Sequence, residues 1–156
     1  MPGRLRKEIR QRKPFATAEV EAFLNLQRTA DALGRSLAEV LKPAGVSPPQ
    51  YNILRILRGA RPAGCACREL GERMVTRDPD ITRLLDRLEA RGLVMRARGQ
   101  KDRRVVTTRI TEKGLELLKG LDGPILGMHR KLLGHLGGRR LRSLIELLEV
   151  ARTRAG

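Results

Sequence analysis

Basic side chains concentrate between Arg77 and Arg109, and their chemistry favours anionic oxygens. The stretch holds ten Arg and Lys residues against five Asp and Glu residues. A guanidinium can pair in a bidentate way with a phosphate group or with the exposed edge of guanine. The stretch is therefore suited to binding a polyanion such as nucleic acid.

Residue types that carry catalysis or bind metals are sparse. The two histidines, His129 and His135, are six positions apart and would not point the same way on a helix. The chain has no Gly-x-Ser-x-Gly motif, no phosphate-cradling glycine loop and no cluster of carboxylates. We therefore expect neither an enzyme nor a metal site nor a cofactor.

The two cysteines, Cys65 and Cys67, are separated by one residue and lie in a predicted loop before a short helix. They form no disulfide framework, which is typical of a reducing cytoplasm. We expect them to act as small apolar residues, because residues so close in sequence do not easily form an unstrained disulfide. The alternative is a redox switch, since Cys67 lies near a helix start beside Arg68.

The composition bounds the class of protein. The chain has 156 residues, with 33 Arg and Lys against 17 Asp and Glu, for a net charge of +16. This excess indicates an anionic partner, although selection for solubility or a genome rich in Arg codons would also produce it. No apolar run approaches the ~20 residues that a membrane span needs, and no apolar signal core follows the basic N-terminus. We expect a cytoplasmic protein with no membrane partner.

Two long helical segments are predicted to flank a central region. Residues 1–14 form a basic arm, disordered or weakly helical, and a helix over 15–42 begins at Thr17 and ends before Pro43 and Gly45. At the other end, Thr111 caps a helix that Asp122–Pro124 interrupts or kinks, and a final helix covers 139–152. The apolar positions of the first helix are Val20, Phe23, Leu26, Ala30, Leu33, Leu37 and Leu41; those of the last are Leu141, Leu144, Ile145, Leu148 and Val150.

The central region begins with a capping box at 47–50, whose helix ends at Gly59. A short helix follows at about 67–74, and a third begins at Thr76 or Asp78, with Pro79 in its first turn, and ends at Arg91. Residues 93–98 and 103–110 are predicted strands joined by a turn at 99–102. Two helices joined by a tight turn and followed by a basic hairpin are typical of a winged helix-turn-helix.

At these residues the chain resembles the multiple-antibiotic-resistance regulator (MarR) family. DITRLLDRLEARGLV at 80–94 is similar to the family's recognition helix, and KDRRVVTTRITEKG at 101–114 is similar to its wing. The resemblance spans roughly 17–152. It implies a mostly helical homodimer with a small β-hairpin wing, whose two lobes bind a near-palindromic operator in duplex DNA. The implied divisions are a dimerisation helix at 15–46, the DNA-binding lobe at 47–110 and dimerisation helices at 111–156.

The resemblance also suggests which side chains face DNA. Thr82 and Arg83 match positions that face the groove, although Arg83 could instead contact phosphate or pair with Asp86. Arg77 at the helix start is expected at phosphate. Arg87 either reaches the backbone or belongs to a solvated face.

The wing is expected to carry its charges at the tip, on Arg98, Lys101 and Arg103. Asp102 and Arg104 would share one face of a strand, because they lie two residues apart. We interpret Asp102 as a clamp that holds the wing through a basic partner. Arg104 is either that partner or a phosphate contact.

The resemblance further implies a repressor released from DNA by a small organic ligand, often an aromatic anion held between the dimer helices and the lobe. Few rings are present to line such a cleft: Tyr51, Phe15 and Phe23. A different class of function, a non-specific architectural DNA-binding protein, would be distinguished by a low preference for any one sequence.

Overall fold

Helices dominate the residues that the computed structural model describes, 3–77 and 80–156. In chain order they are α1 Arg4–Glu8, α2 Ala18–Leu41, α3 Pro48–Gly59, α4 Cys67–Arg73, α5 Ile81–Ala90, α6 Glu112–Leu133 and α7 Gly137–Arg152, with 3-10 turns at Lys42–Ala44 and Gly134–Leu136. Three strands, β1 Cys65–Ala66, β2 Val94–Arg98 and β3 Val106–Ile110, form an antiparallel sheet in the order β1-β3-β2. The expected fold class, helical with a small β wing, is confirmed.

The chain divides into two compact units, one ending at Ser36 and the other beginning at Leu37. In the first unit, α1 buries Leu5. The backbone N–H of Gly3 donates to the Glu21 carboxylate at 3.1 Å, and Arg28 Nε donates to Glu8 at 3.2 Å. The segment predicted to be a disordered or weakly helical arm therefore contains a short helix that is bonded to α2.

The predicted helix starts rest on side-chain caps. Thr17 Oγ1 accepts from the N–H of Val20 at 3.4 Å, and Thr111 Oγ1 accepts from the N–H of Gly114 at 3.1 Å. The capping box of α3 is complete: the Gln50 N–H donates to Ser47 Oγ at 3.3 Å, and the Ser47 N–H donates to Gln50 Oε1 at 2.9 Å. Each cap satisfies a backbone group that would otherwise lack a helical partner.

The hydrophobic core of the second unit surrounds α3. Its side chains Ile53, Leu54 and Leu57 are fully buried. They lie in one core with Leu88 of α5 and Leu118 of α6. Because α5 and α6 both contact α3, this central helix fixes the position of α5 and leaves the opposite side of α5 exposed.

Helix α6 continues through Pro124, so of the interruption or kink expected at 122–124 the interruption is wrong. A proline removes one backbone donor, but neighbouring contacts can maintain the helix. Here Leu121 and Ile125 are buried in the core. Asp122 accepts bidentate hydrogen bonds from Arg58 of α3 at 2.9–3.0 Å. Packing and this ion pair hold both sides of the proline.

The sequence does not predict strand β1: residues 65–66, expected in a loop, pair with β3 instead. Cys65 lies opposite Thr108, and Ala66 lies opposite Thr107. The close approach of this segment to β3 depends on Gly64, where φ is +79° and an added Cβ would clash with the Thr108 carbonyl oxygen. Two residues are too few to show an alternating pattern, so only the tertiary structure reveals the strand.

In the described ranges, none of the helices has the length and apolar character needed to cross a membrane.

Candidate nucleic-acid interface

Helix α5, hereafter the recognition helix, has one buried and one exposed face. Leu85 and Leu88 are buried, and Ile81 and Leu84 are half-buried. This spacing turns the remaining positions outward, because residues three and four apart share a helix face. The exposed polar and charged side chains are Thr82, Arg83, Asp86, Arg87 and Glu89.

The recognition helix begins later than the sequence indicated. Its N-cap is Asp80, whose carboxylate accepts from the N–H of Arg83 at 3.0 Å. Thr76 is therefore not the cap, and Asp78 and Pro79 lie outside the described residues. The carboxylate complements the positive end of the helix dipole. The later start places Thr82 and Arg83 in the first turn, whose side chains extend toward the N-terminal end of the helix.

Arg96 of β2 connects the wing to the recognition helix. Its Nη2 donates to Asp86 Oδ1 at 2.6 Å and to Glu89 Oε1 at 2.9 Å. Its backbone N–H donates to the second Glu89 oxygen at 3.1 Å. The Arg96 side chain is only 23% exposed, so this cation lies against the helix instead of extending into solvent.

The Arg96 contacts change the charge that the recognition helix presents. The hydrogen bond from Arg96 lowers the pKa of the Glu89 carboxyl, and the two carboxylates raise the pKa of Arg96. Both acids lie within ion-pair distance of the β2 guanidinium. Among the described residues, Asp86 has its ion pair with Arg96 and not with Arg83, which leaves the Arg83 guanidinium available for another partner. Sequence reasoning missed Arg96, because the three groups meet only in the tertiary structure.

The wing tip is longer than predicted. Strand β3 begins at Val106, so Arg103 and Arg104 belong to the turn and not to a returning strand. The Gly99 N–H donates to the Val105 carbonyl at 2.8 Å and closes this larger turn. Gly99 also fits a narrow space, since an added Cβ would lie 2.7 Å from the Asp102 carbonyl oxygen.

Asp102 organises the turn through a backbone group. Its Oδ1 accepts from the N–H of Arg104 at 3.0 Å, an Asx-type turn. The shared strand face proposed for Asp102 and Arg104 is therefore wrong, because neither residue is in a strand. In the described ranges Asp102 forms no ion pair with a basic side chain. The structure thus supplies a different partner for the predicted clamp: an amide, and not a guanidinium.

The basic residues of this region separate into two groups. Arg91 donates to the carbonyls of Gly45 and Ala44 at 2.7 and 2.9 Å, and Arg109 Nε donates to the Ala63 carbonyl at 3.2 Å. With Arg96 these side chains support the fold. Arg98 Nη1 donates to the Arg103 carbonyl at 3.2 Å, so it also braces the tip. The remaining basic side chains are exposed: Arg77, Arg83, Arg87, Lys101, Arg103 and Arg104.

The cysteines lie at the start of the sheet. Cys65 is 1% exposed in β1, and Cys67 begins α4 and is half-buried. Burial and then the Glu69 carboxylate raise the pKa of the Cys65 thiol, while Arg73, which donates to its sulfur at 3.4 Å, opposes them. A buried thiol with a raised pKa is a poor nucleophile at neutral pH.

A short helix, a turn and an exposed second helix followed by a β-hairpin define a winged helix-turn-helix. The family model described as "MarR family" matches residues 46–106. The chain is 42% identical to a MarR transcription factor from Planctomyces limnophilus, over 88% of this chain and 99% of that one, with a TM-score of 0.68. The chain belongs to the MarR family of transcriptional regulators, which agrees with the expectation of a non-enzymatic protein.

Two further relatives extend the comparison. The HTH-type transcriptional regulator TtmR of Methylorubrum extorquens (strain PA1) is 34% identical over 121 residues, which cover 71% of this chain and 61% of TtmR. A mutant MarR from E. coli, solved in complex with operator DNA, is 24% identical with a TM-score of 0.77, over 88% of this chain and 99% of that one. The latter likeness is evidence for the fold alone.

Proposed function

We propose that this protein binds duplex DNA in a sequence-specific manner and regulates transcription. The observation that carries the proposal is the outer face of the recognition helix, where Arg83 and Arg87 are exposed while Arg96 binds the two neighbouring acids. Arg83 in the first turn is suited to read a base edge in the major groove, with Thr82 beside it. Membership of the MarR family of transcriptional regulators supports duplex DNA as the partner here.

The wing tip would bind the sugar-phosphate backbone. Lys101, Arg103 and Arg104 are exposed around a turn that Asp102 and Gly99 hold in shape. Contacts of this kind supply affinity and register, while the groove contacts supply sequence choice. Arg77, exposed before the recognition helix, would contact phosphate at the other side of the motif.

We propose a homodimer, because each unit leaves apolar side chains uncovered. On α2 of the first unit, Val20, Phe23 and Leu26 are 43%, 60% and 44% exposed. On α7 of the second unit, which buries none of its residues, Ile145 and Val150 are 54% and 62% exposed. Exposed apolar surface of this extent is typical of an interface. A two-fold dimer would present two recognition helices to a near-palindromic operator.

We further propose that the protein acts in the cytoplasm as a repressor that a small organic ligand releases from DNA. The family resemblance of the recognition helix and wing supports this finer assignment. Its test is separate from that of DNA binding: the ligand must weaken the complex without unfolding the protein.

The DNA-binding proposal is tested with duplex fragments selected from the source genome. Fluorescence anisotropy measures the affinity, and light scattering measures the number of chains per duplex. We expect two chains on each selected duplex. One chain per duplex would contradict the dimer, and the absence of any enriched fragment would contradict a sequence-specific regulator.

A further inference from the structure

The start of the first unit, residues 3–13 and hereafter the basic segment, carries a concentrated positive charge. It holds six Arg and Lys residues and one acid, Glu8. Glu8 pairs with Arg4 at 3.1 Å and with Arg28 of α2 at 3.2 Å. The other five cations are exposed, and within residues 3–77 and 80–156 they form no ion pair: Arg6, Lys7, Arg10, Arg12 and Lys13.

These cations are held on a folded segment. Leu5 is buried, and the Gly3 N–H donates to the Glu21 carboxylate of α2 at 3.1 Å. Further along, Gln11 Nε2 donates to the Lys13 carbonyl at 2.9 Å. Charges that serve solubility need no such anchors, because a disordered tail solvates them equally well. The anchors therefore indicate that the arrangement of the cations matters.

Arg10 adopts a backbone conformation that favours glycine. Its φ is +54°, a positive value that no other non-glycine residue shows in the described part of the chain. The Arg10 N–H donates to the Lys7 carbonyl at 3.2 Å and the Gln11 N–H donates to the Arg6 carbonyl at 2.9 Å. These paired bonds form a Schellman motif, whose left-handed residue is usually glycine because a Cβ is strained there. A strained arginine among the cations indicates that its side chain has a use.

The chemistry of the basic segment favours DNA over a membrane. Three of the five unpaired cations are arginines, whose guanidinium forks match phosphate oxygens. A helix that binds a membrane surface turns an apolar face outward. In the basic segment Leu5 is instead buried, and Ile9 is the large apolar side chain that remains exposed.

We propose that the basic segment is a second DNA-binding surface, which contacts phosphates and reads no sequence. It belongs to a different unit from the recognition helix and the wing, and it would strengthen specific and non-specific complexes alike. That the polyanion is duplex DNA rests on the proposed function. The phosphates come either from the flanks of the operator or from a second duplex, and the experiment separates these sources.

The main test removes three arginines from the full-length protein: Arg6→Gln, Arg10→Gln and Arg12→Gln. Fluorescence anisotropy follows the binding of a selected and a shuffled duplex, each extending about two helical turns beyond the footprint on both sides. At about 0.15 M salt we expect at least a tenfold loss of affinity on both duplexes, with the slope of log affinity against log salt concentration reduced by about two units. The ratio of the two affinities should change less than twofold.

A matched variant controls for net charge. Arg140→Gln with Arg152→Gln and Arg154→Gln removes three exposed arginines from α7 and the chain end, and it should change either affinity less than twofold. Circular dichroism establishes that both triple variants are folded. Equal losses in the two triple variants, or an unchanged affinity and salt slope after the change in the basic segment, would overturn the proposal.

Arg10→Gly separates the side chain from the backbone. Glycine adopts the positive φ without strain, so the Tm should be equal to or higher than that of the wild type. The affinity for both duplexes should nevertheless fall at least twofold, because one phosphate contact is lost. A lower Tm with unchanged affinity would show that Arg10 serves the fold alone and would contradict the proposal.

Duplex length identifies the source of the phosphates. If the flanks supply them, the loss in the variant of the basic segment disappears on a duplex trimmed to the footprint. If a second duplex supplies them, light scattering detects two duplexes on each wild-type complex and one on each variant complex.

Two further outcomes keep this inference distinct from the proposed function. If single-stranded RNA of the same length binds the variant more weakly while both duplexes bind it normally, RNA replaces DNA as the partner and the inference is wrong. If the wild type prefers neither duplex but both bind the variant more weakly, the sequence-specific regulator is contradicted and the second surface stands.

Discussion

Replacing Arg96 with glutamine should weaken DNA binding without removing a DNA contact. The change breaks the pairs of Arg96 with Asp86 and Glu89, at 2.6 and 2.9 Å. Because Arg96 carries one positive charge, its loss makes the region around Asp86 and Glu89 more negative by one unit charge. At a separation of roughly 8 Å from phosphate in water, one unit charge opposes binding by about 0.5 kcal/mol. The expected result is roughly a twofold loss of affinity.

Stability should fall as well, but modestly. The carboxylates are 58% and 41% exposed, and pairs of such exposed groups contribute about 0.2–1 kcal/mol each. The Arg96→Gln variant should therefore lose about 1 kcal/mol of unfolding free energy, or about 2–4 °C in Tm for a chain of this size. Anisotropy is measured well below that Tm, so the loss of DNA affinity is not due to unfolding.

Two matched variants separate the mechanism from net charge. Arg154→Gln removes one positive charge from the C-terminal end and should bind almost as the wild type does. Adding Asp86→Asn and Glu89→Gln to Arg96→Gln removes the uncompensated acids and should recover most of the affinity. If the triple variant binds no better than Arg96→Gln, Arg96 contacts DNA directly and the reasoning is refuted.

Acid titration probes the same contact. The folded-state pKa of Glu89 lies below its ordinary value of 4.5 because of Arg96. The stability that the pair contributes is thus present above 4.5 and is lost as the pH falls through the folded-state pKa. The Tm difference between wild type and Arg96→Gln should therefore be smaller at about pH 3 than at about pH 7. A difference that stays constant or widens would contradict the assignment.

Arg83, the wing tip and the two cysteines give further predictions. Arg83→Ala should lose about 1–3 kcal/mol of binding free energy on the operator and flatten the base preference at one position per half-site. Arg103→Ala should weaken the binding of all duplexes evenly and reduce the slope of log affinity against log salt concentration by about one unit. Equal losses on operator and random DNA for both variants would contradict this division. Asp102→Ala should weaken binding although it removes a negative charge, because the hydrogen bond to the Arg104 amide is lost; Asp102→Asn, which retains an acceptor, should not. Tighter binding by Asp102→Ala would refute the turn's role. A thiol reagent at neutral pH should label Cys67 faster than Cys65, as measured by mass spectrometry of single Cys→Ser variants. The contrary result is that peroxide releases the wild type from DNA but does not release the double variant Cys65→Ser with Cys67→Ser. That result would establish the thiols as a redox sensor.

Local signals in the sequence are enough to predict much of the fold. Ser47 and Gln50 form their reciprocal cap, and Thr111 begins α6, because capping depends on residues three positions apart. The apolar spacing of Leu85 and Leu88 identified the buried side of the recognition helix, and thereby the exposed side at Arg83. These features require only a short stretch of chain.

The errors arose where distant segments decide local structure. Cys65 joins a strand because Thr108 lies opposite, and α6 passes through Pro124 because Arg58 binds Asp122 beside it. The sequence assigns Arg96 no role beyond its charge, since its acid partners lie seven and ten residues earlier in the chain. Composition alone cannot separate a cation that supports the fold from one that is available to DNA.

The ratio of the affinities for a selected and an unrelated duplex decides whether this protein is a sequence-specific regulator. A selected genomic duplex and a shuffled duplex of the same composition are titrated in parallel at physiological salt, and the protected bases are mapped by footprinting. We expect a preference of at least about 10³ for the selected duplex, with two half-sites about 34–36 Å apart. Equal affinity for both duplexes, with no defined footprint, would identify an architectural DNA-binding protein and contradict a sequence-specific regulator.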